Sequence, residues 1–411
     1  FGLTSPVTDA DKEVLREWIA SIGAGGCGFE RPFISDGEML GQIFDHIAEN
    51  RRQQVADYRY LTLTHLHNNP CVSDAEIETH RLALTKLVNG LSWRRAVVRP
   101  VAVDPHGTIL RLSLSQLGWD AARWQLLADA DPYARHHDTI VAESVTAAMG
   151  VALPHLRGDW FVARVAVPPL YHVFADIPET AQELERRLLD GRTADEMLAL
   201  EPWGVLRAGF DRGTSGVSQN NRMVERHETA YGAYWRSFDF RAVDPRDPAS
   251  LRRSFFDFPL GPGGENGFEH DGGEMIFNLP NGFQAYMLVD EAGRRIDVGP
   301  AEIVQDANRF ALAGSVEIVN GLSCMSCHAQ GMRDSRAGGM TQGVDQLLNH
   351  VRASGFRSEI RLAVEALHRP DELRDRLRED TERFVAAMRR AGVDRFTIND
   401  EPVSAGIYGF D

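Results

Sequence analysis

Residues 320–331 read Asn-Gly-Leu-Ser-Cys-Met-Ser-Cys-His-Ala-Gln-Gly, and no other stretch constrains the chain as tightly. Cys324, Cys327 and His328 form the pattern C-x-x-C-H. Two intervening residues bring both sulfurs to one side of a turn, and the imidazole follows at once. Three chemistries would use part of this pattern. A thioredoxin-type pair wants a strand–helix βαβ setting, which the flanking sequence does not offer. A structural zinc site needs four ligands, and there is no second Cys pair to complete one. A disulfide across two residues would leave His328 unexplained.

The whole pattern matches covalent haem attachment. Two thiols add across the vinyl groups on one edge of the macrocycle, and the adjacent imidazole reaches the iron from one side. Over residues 320–331 the sequence resembles the c-type cytochromes. The resemblance implies one covalent haem c held by Cys324 and Cys327, with His328 as the proximal iron ligand. It also implies export, to a periplasmic or extracellular location, because bacteria attach haem c on the export side.

Such a compartment permits disulfides. The two remaining cysteines, Cys27 and Cys71, are then a disulfide candidate, with two buried free thiols as the alternative. The chain begins Phe1-Gly-Leu, so a mature or truncated form with its export signal upstream is expected. Residues 8–22 predict a helix capped by Thr8, with an apolar stripe of Val14, Leu15, Trp18 and Ile19 running into a glycine turn. This stretch resembles the closing helix of a planctomycete-type cytochrome c domain, which would imply a haem domain before Phe1. An ordinary amphipathic helix is the alternative.

The chain is 43% hydrophobic and 25% charged, which is ordinary globular composition, and its 411 residues suggest two to three domains. One haem needs far fewer residues. A net charge of −15 without a basic block argues against a nucleic-acid binder. Lys occurs only at Lys12 and Lys86, which reads as codon bias of a G+C-rich bacterial genome. No segment is long and apolar enough to span a bilayer.

The expected fold class is α+β. A mostly helical region over 1–150 precedes a β-rich platform over 151–310 and a helical, cytochrome c-like haem region over 311–411. Helices are predicted over 36–56 and 73–92, the second with Ser73 and Glu76 as a capping box. His65 and His67 would share one face of a strand. Strands are expected over 96–103 and 108–113, split by the Asp104-Pro-His-Gly turn, and again over 159–167. Helices follow near 119–129, 139–149 and 180–189, with His136, His137 and Asp138 read as a surface loop. Residues 273–298 read as a meander, and 344–354, 356–368 and 371–391 as three helices after the motif.

The group opposite His328 decides the chemistry: a strong second ligand suits electron transfer, an open site suits catalysis. Downstream, Met332, Met340 and Met388 are within range, Met388 reading as core, and His350 and His368 could ligate or cap. Upstream, Gly267-Phe-Glu-His-Asp-Gly-Gly-Glu groups His270, Asp271 and Glu274 around two glycines that permit close approach of something flat. His270 is a candidate distal ligand or acid–base group. His227, with Arg222, Glu225 and Arg226 nearby, is a second candidate, and Arg222 could polarise a bound peroxide or meet a propionate. Met275 is a lesser candidate ligand, and Trp203, Tyr231, Tyr234 and Trp235 could line a pocket.

The leading expectation is an exported monohaem cytochrome that passes single electrons to a redox partner protein, with other cytochrome subunits as further partners. The alternatives are a peroxidase-like or oxygen-activating haem enzyme using His270, His227 or Arg222, and a haem-bearing structural subunit.

Overall fold

The structure is a computed structural model that describes residues 12–14, 27–133, 139–246, 248–263, 267–306, 315–334, 339–395 and 398–408. The chain is α+β, with helices towards both ends and the larger sheet between them. It divides into two compact units. One holds residues 1–81, 101–112 and 133–158, and the other holds 82–100, 113–132 and 159–411. The β-rich section and the C-terminal helices fall in the same unit.

In the first unit, β1 (Tyr58–Thr62), β2 (Val101–Ala102), β3 (Ile109–Ser113) and β4 (His155–Arg157) form a sheet of order β2-β3-β1-β4. β1 pairs with β4 in parallel, and β2 pairs with β3 antiparallel. Asp104 builds the turn before β3 by accepting from the backbone N–H of His106, Thr108 and Ile109. Helix α1 (Asp36–Glu49) starts at a Ser35–Glu38 capping box, and α2 (Asp74–Gly90) at the Ser73–Glu76 pair. Helix α3 (Ile140–Met149) sends Val145 and Met149 to a core with Leu40, Ile43, Tyr60 and Ile109. A disulfide joins Cys27 to Cys71.

Several expectations need correction. His65 and His67 lie in a helical turn, Thr64–His67, where residues two apart point in different directions. His67 Nε2 meets the Pro32 carbonyl at 3.0 Å. The strand expected over 96–103 shrinks to β2. The strand expected over 159–167 is helix α4 (Gly158–Val165), whose buried Phe161, Val162 and Val165 follow helical spacing. A short apolar run does not distinguish the two states by itself. Of the helix expected over 8–22 only Lys12, Glu13 and Val14 are described, and they are helical. The rest lies outside the described residues, as do His136, His137 and Asp138.

The second unit is built on a six-stranded antiparallel meander. Its strands are β5 (Val205–Phe210), β6 (Arg222–Thr229), β7 (Gly232–Asp239), β8 (Gly272–Asn278), β9 (Gln284–Asp290) and β10 (Arg295–Ile296), in sequential order. Every residue of β7 is buried, so both faces of the sheet are covered. Helix α5 (Ala181–Leu188) reaches one face, where Glu185 accepts from Tyr234 and Arg236. A short antiparallel pair, β11 (Val298–Gly299) and β12 (Ile318–Val319), leads into α6 (Leu322–Cys327). Then come α7 (Gly339–Ala353), α8 (Ser358–Leu367), α9 (Pro370–Ala391) and α10 (Pro402–Tyr408). Asp380 of α9 takes Arg226 and Trp235 from the other sheet face.

Candidate cofactor site

Helix α6 is short because both its ends are special. It begins at Gly321, with φ +87°, where a Cβ would lie 2.6 Å from the Ala166 carbonyl oxygen. It ends at His328, whose N–H closes on the Cys324 carbonyl at 2.8 Å. Cys324 and Cys327 are three apart on this helix, so their sulfurs share one face. They are free thiols. Burial keeps both protonated, pushing Cys324 well up and Cys327 to about 12.

His328 Nδ1 lies 3.0 Å from the Gly331 carbonyl oxygen. A carbonyl only accepts, so Nδ1 carries the proton and Nε2 keeps its lone pair. Burial pulls the His328 pKa down and favours that neutral form. Gly331 sits at φ +95°, a backbone state that glycine adopts readily.

Cys324, Cys327 and His328 line a cavity of about 500 Å³, within the usual size for a cofactor pocket. The opposing wall is one face of the meander. Antiparallel register puts Val224 beside Ser237, Arg222 beside Asp239, and Glu274 beside Leu288, all on this face. Ile276, Ile303, Met332 and Met340 add apolar surface.

Arg222, Asp239, Ser237 and Glu274 of the wall form one chain of polar contacts. Arg222 Nε lies 2.5 Å from Asp239 Oδ1, and its Nη2 donates to Ser237 Oγ at 2.8 Å. The same Nη2 reaches Glu274 Oε2 at 3.3 Å. Burial alone would lower the Arg222 pKa, but Asp239 and Glu274 outweigh it and raise it. Glu274 Oε1 faces His328 Nε2 at 4.0 Å.

Of the residues singled out from sequence, Arg222, Glu274, Trp235, Met332 and Met340 reach this cavity. His227 does not. It is an odd-numbered residue of β6, and strand alternation sends it to the far face from Arg222. There its Nε2 meets Glu225 Oε1 at 2.7 Å, in a buried cluster with Arg207 and Arg236. Met275 lies on that far face too, beside Met287 and opposite Arg236. His270 packs edge-on to Phe238, bonds the Gly272 carbonyl at 3.3 Å, and does not line the cavity. The close approach permitted by Gly272 and Gly273 is between strands: added Cβ atoms would lie 2.8 Å from the Val289 oxygen and 2.1 Å from the Ser237 oxygen.

The other candidates are structural in place. His350 packs against Phe256 and Phe356, and His368 caps α8 through the Val364 carbonyl. Met388 is fully buried, Trp203 is 70% exposed, Tyr231 packs against Trp93, and Tyr234 donates to Glu185. Ser237 and Asp239 were missed. Their signal was the alternation Trp235-x-Ser237-x-Asp239 opposite Arg222.

The donor set fits a haem of c type. Two thiols share a helix face, a neutral imidazole presents Nε2, and an apolar cavity with arginine on its rim adjoins all three. No family model, curated protein or solved structure matches the chain.

Proposed function

We propose that the chain is a c-type cytochrome that carries one haem c on Cys324 and Cys327, with His328 as proximal ligand, and passes single electrons to a redox partner protein. Bound there, the haem would supply an iron that alternates between ferrous and ferric states. The chain's own residues do the rest. Gly331 fixes the tautomer and direction of the His328 ring. The apolar side chains of the cavity keep water away and so influence potential. Arg222 brings positive charge beside the Asp239 and Glu274 carboxylates of the wall.

One observation carries this reading: His328 Nδ1 is tied to Gly331 while both thiols and the imidazole line the same cavity. The Cys27–Cys71 disulfide supports an oxidising, exported location, and other cytochrome subunits are natural partners there. Among the described residues no helix is long and apolar enough to cross a membrane.

The test is expression in a host that attaches haem c, followed by haem staining on a denaturing gel and intact mass. A band retaining haem, lost in C324A/C327A, supports the proposal. Absence of covalent haem in the wild type overturns it.

A second reading, a peroxidase-like enzyme, rests on Arg222 and Glu274 in the cavity wall. It requires carbon monoxide binding by the reduced protein and peroxide turnover that falls in R222A. Without both, the carrier reading stands.

A further inference from the structure

We infer that Glu274 supplies the second axial ligand of the iron, a carboxylate oxygen opposite His328. The inference rests on the haem reading above.

Position comes first. Glu274 Oε1 lies 4.0 Å from His328 Nε2. First-row metal bonds to imidazole nitrogen and carboxylate oxygen run about 2.0–2.2 Å. An ion between the two atoms therefore satisfies both with little movement of either side chain. Neither histidine favoured by the sequence lines this cavity.

The side chain is also held for the purpose. The Glu274 backbone N–H donates to Ser237 Oγ at 2.8 Å, which anchors the residue on the sheet. Oε2 is engaged by Arg222, and Oε1 is the oxygen turned to the imidazole.

The ligand type has a consequence. Carboxylate is a hard anionic donor, which favours ferric over ferrous iron, whereas thioether ligation raises the potential. Met332 and Met340 line the same cavity and are the thioether rivals.

The experiment uses the full chain with covalent haem verified by mass, comparing wild type, E274Q, E274D and M332L/M340L by ferric absorption, electron paramagnetic resonance and redox titration. The expected result is a ferric wild-type spectrum without the charge-transfer band of thioether-ligated haem. E274Q should then shift both spectrum and midpoint potential, the potential upwards, and M332L/M340L should leave the ligand-sensitive bands of the spectrum where they are in the wild type. E274D retains the carboxylate and should stay nearer the wild type than E274Q. The inference is overturned if E274Q carries haem with the wild-type spectrum and potential, or if M332L/M340L removes a thioether band. Failure of the wild type to attach haem would instead overturn the cytochrome reading itself.

Discussion

Lys86 Nζ meets Glu401 Oε1 at 2.6 Å, with both side chains buried. Nζ also donates to the Met325 carbonyl at 3.3 Å, between the two cysteines of α6. One of the two lysines in an arginine-dominated chain therefore holds α6 to the segment opening α10. A compact ammonium suits a buried site with two acceptors better than a planar guanidinium. K86M leaves Glu401 buried without its cation and should cost about 3–5 kcal/mol. K86M/E401Q removes the stranded charge and should recover part of that loss. Denaturant unfolding of the three proteins measures it, and equal losses in single and double variants would contradict the pairing.

Gly331 combines φ +95° with a site where an added Cβ would lie 3.2 Å from the Phe384 ring. G331A should destabilise by about 1–3 kcal/mol through backbone strain. It should also disturb the ring of His328, whose Nδ1 bonds the Gly331 carbonyl. Nitrogen-edge NMR of the His328 ring, read with the unfolding midpoint, checks both effects. An unchanged tautomer alongside unchanged stability would show that the turn is tolerant.

Glu225 is buried between Arg207 and Arg236. Burial would raise its pKa, but the two arginines and His227 hold it well below the usual carboxylate range. A depressed folded-state pKa means that unfolding takes up a proton. This contribution is present in full above the unfolded value of about 4.3 and is lost as pH falls below it. The wild type should lose stability steeply below about pH 4.3. E225Q should be weaker at pH 7 but flatter in acid. Urea midpoints across pH 7 to 3 test the slope.

His368 donates from Nδ1 to the Val364 carbonyl, and burial lowers its pKa to about 3. A base that stays neutral when folded but protonates at about 6.5 when unfolded favours the unfolded chain in acid. Stability should therefore start to fall below about pH 6.5, before any carboxylate contributes. In H368N the slope between about pH 6.5 and pH 4.5 should be shallower. An identical slope in both proteins would remove His368 from the account.

The disulfide spans a sequence separation of 44 residues. Closing a loop of that length should stabilise the first unit by about 4 kcal/mol in the chain-entropy model. C27A/C71A should lower the first melting transition, and reductant should do the same to the wild type only. A reductant effect that persists in the double variant would point to another thiol.

Some of this was legible before any coordinates, wherever the cause is local. The C-x-x-C-H spacing places two sulfurs and an imidazole on one short helix regardless of what surrounds it. The cap at Ser73–Glu76 depends on residues three apart, and it forms. The meander followed from alternation and from the Pro280-Asn-Gly turn. The apolar run over 159–167 was not decidable locally, because so short an apolar stretch in the sequence suits a helix and a strand alike.

What surrounds the motif is a different kind of fact. His227, Arg226 and Arg222 are close in sequence, but strand pairing decides which face each one takes. A shift of one residue in register would have exchanged the faces of Arg222 and His227. Glu274 meets His328 only because β8 lies in the sheet wall facing α6, some fifty residues later in the chain. The chain alone determined that two thiols and an imidazole stand together, since those neighbours are fixed by covalent spacing. Tertiary structure alone decided which group looks back at the imidazole, since that depends on register and packing between segments that no local pattern links.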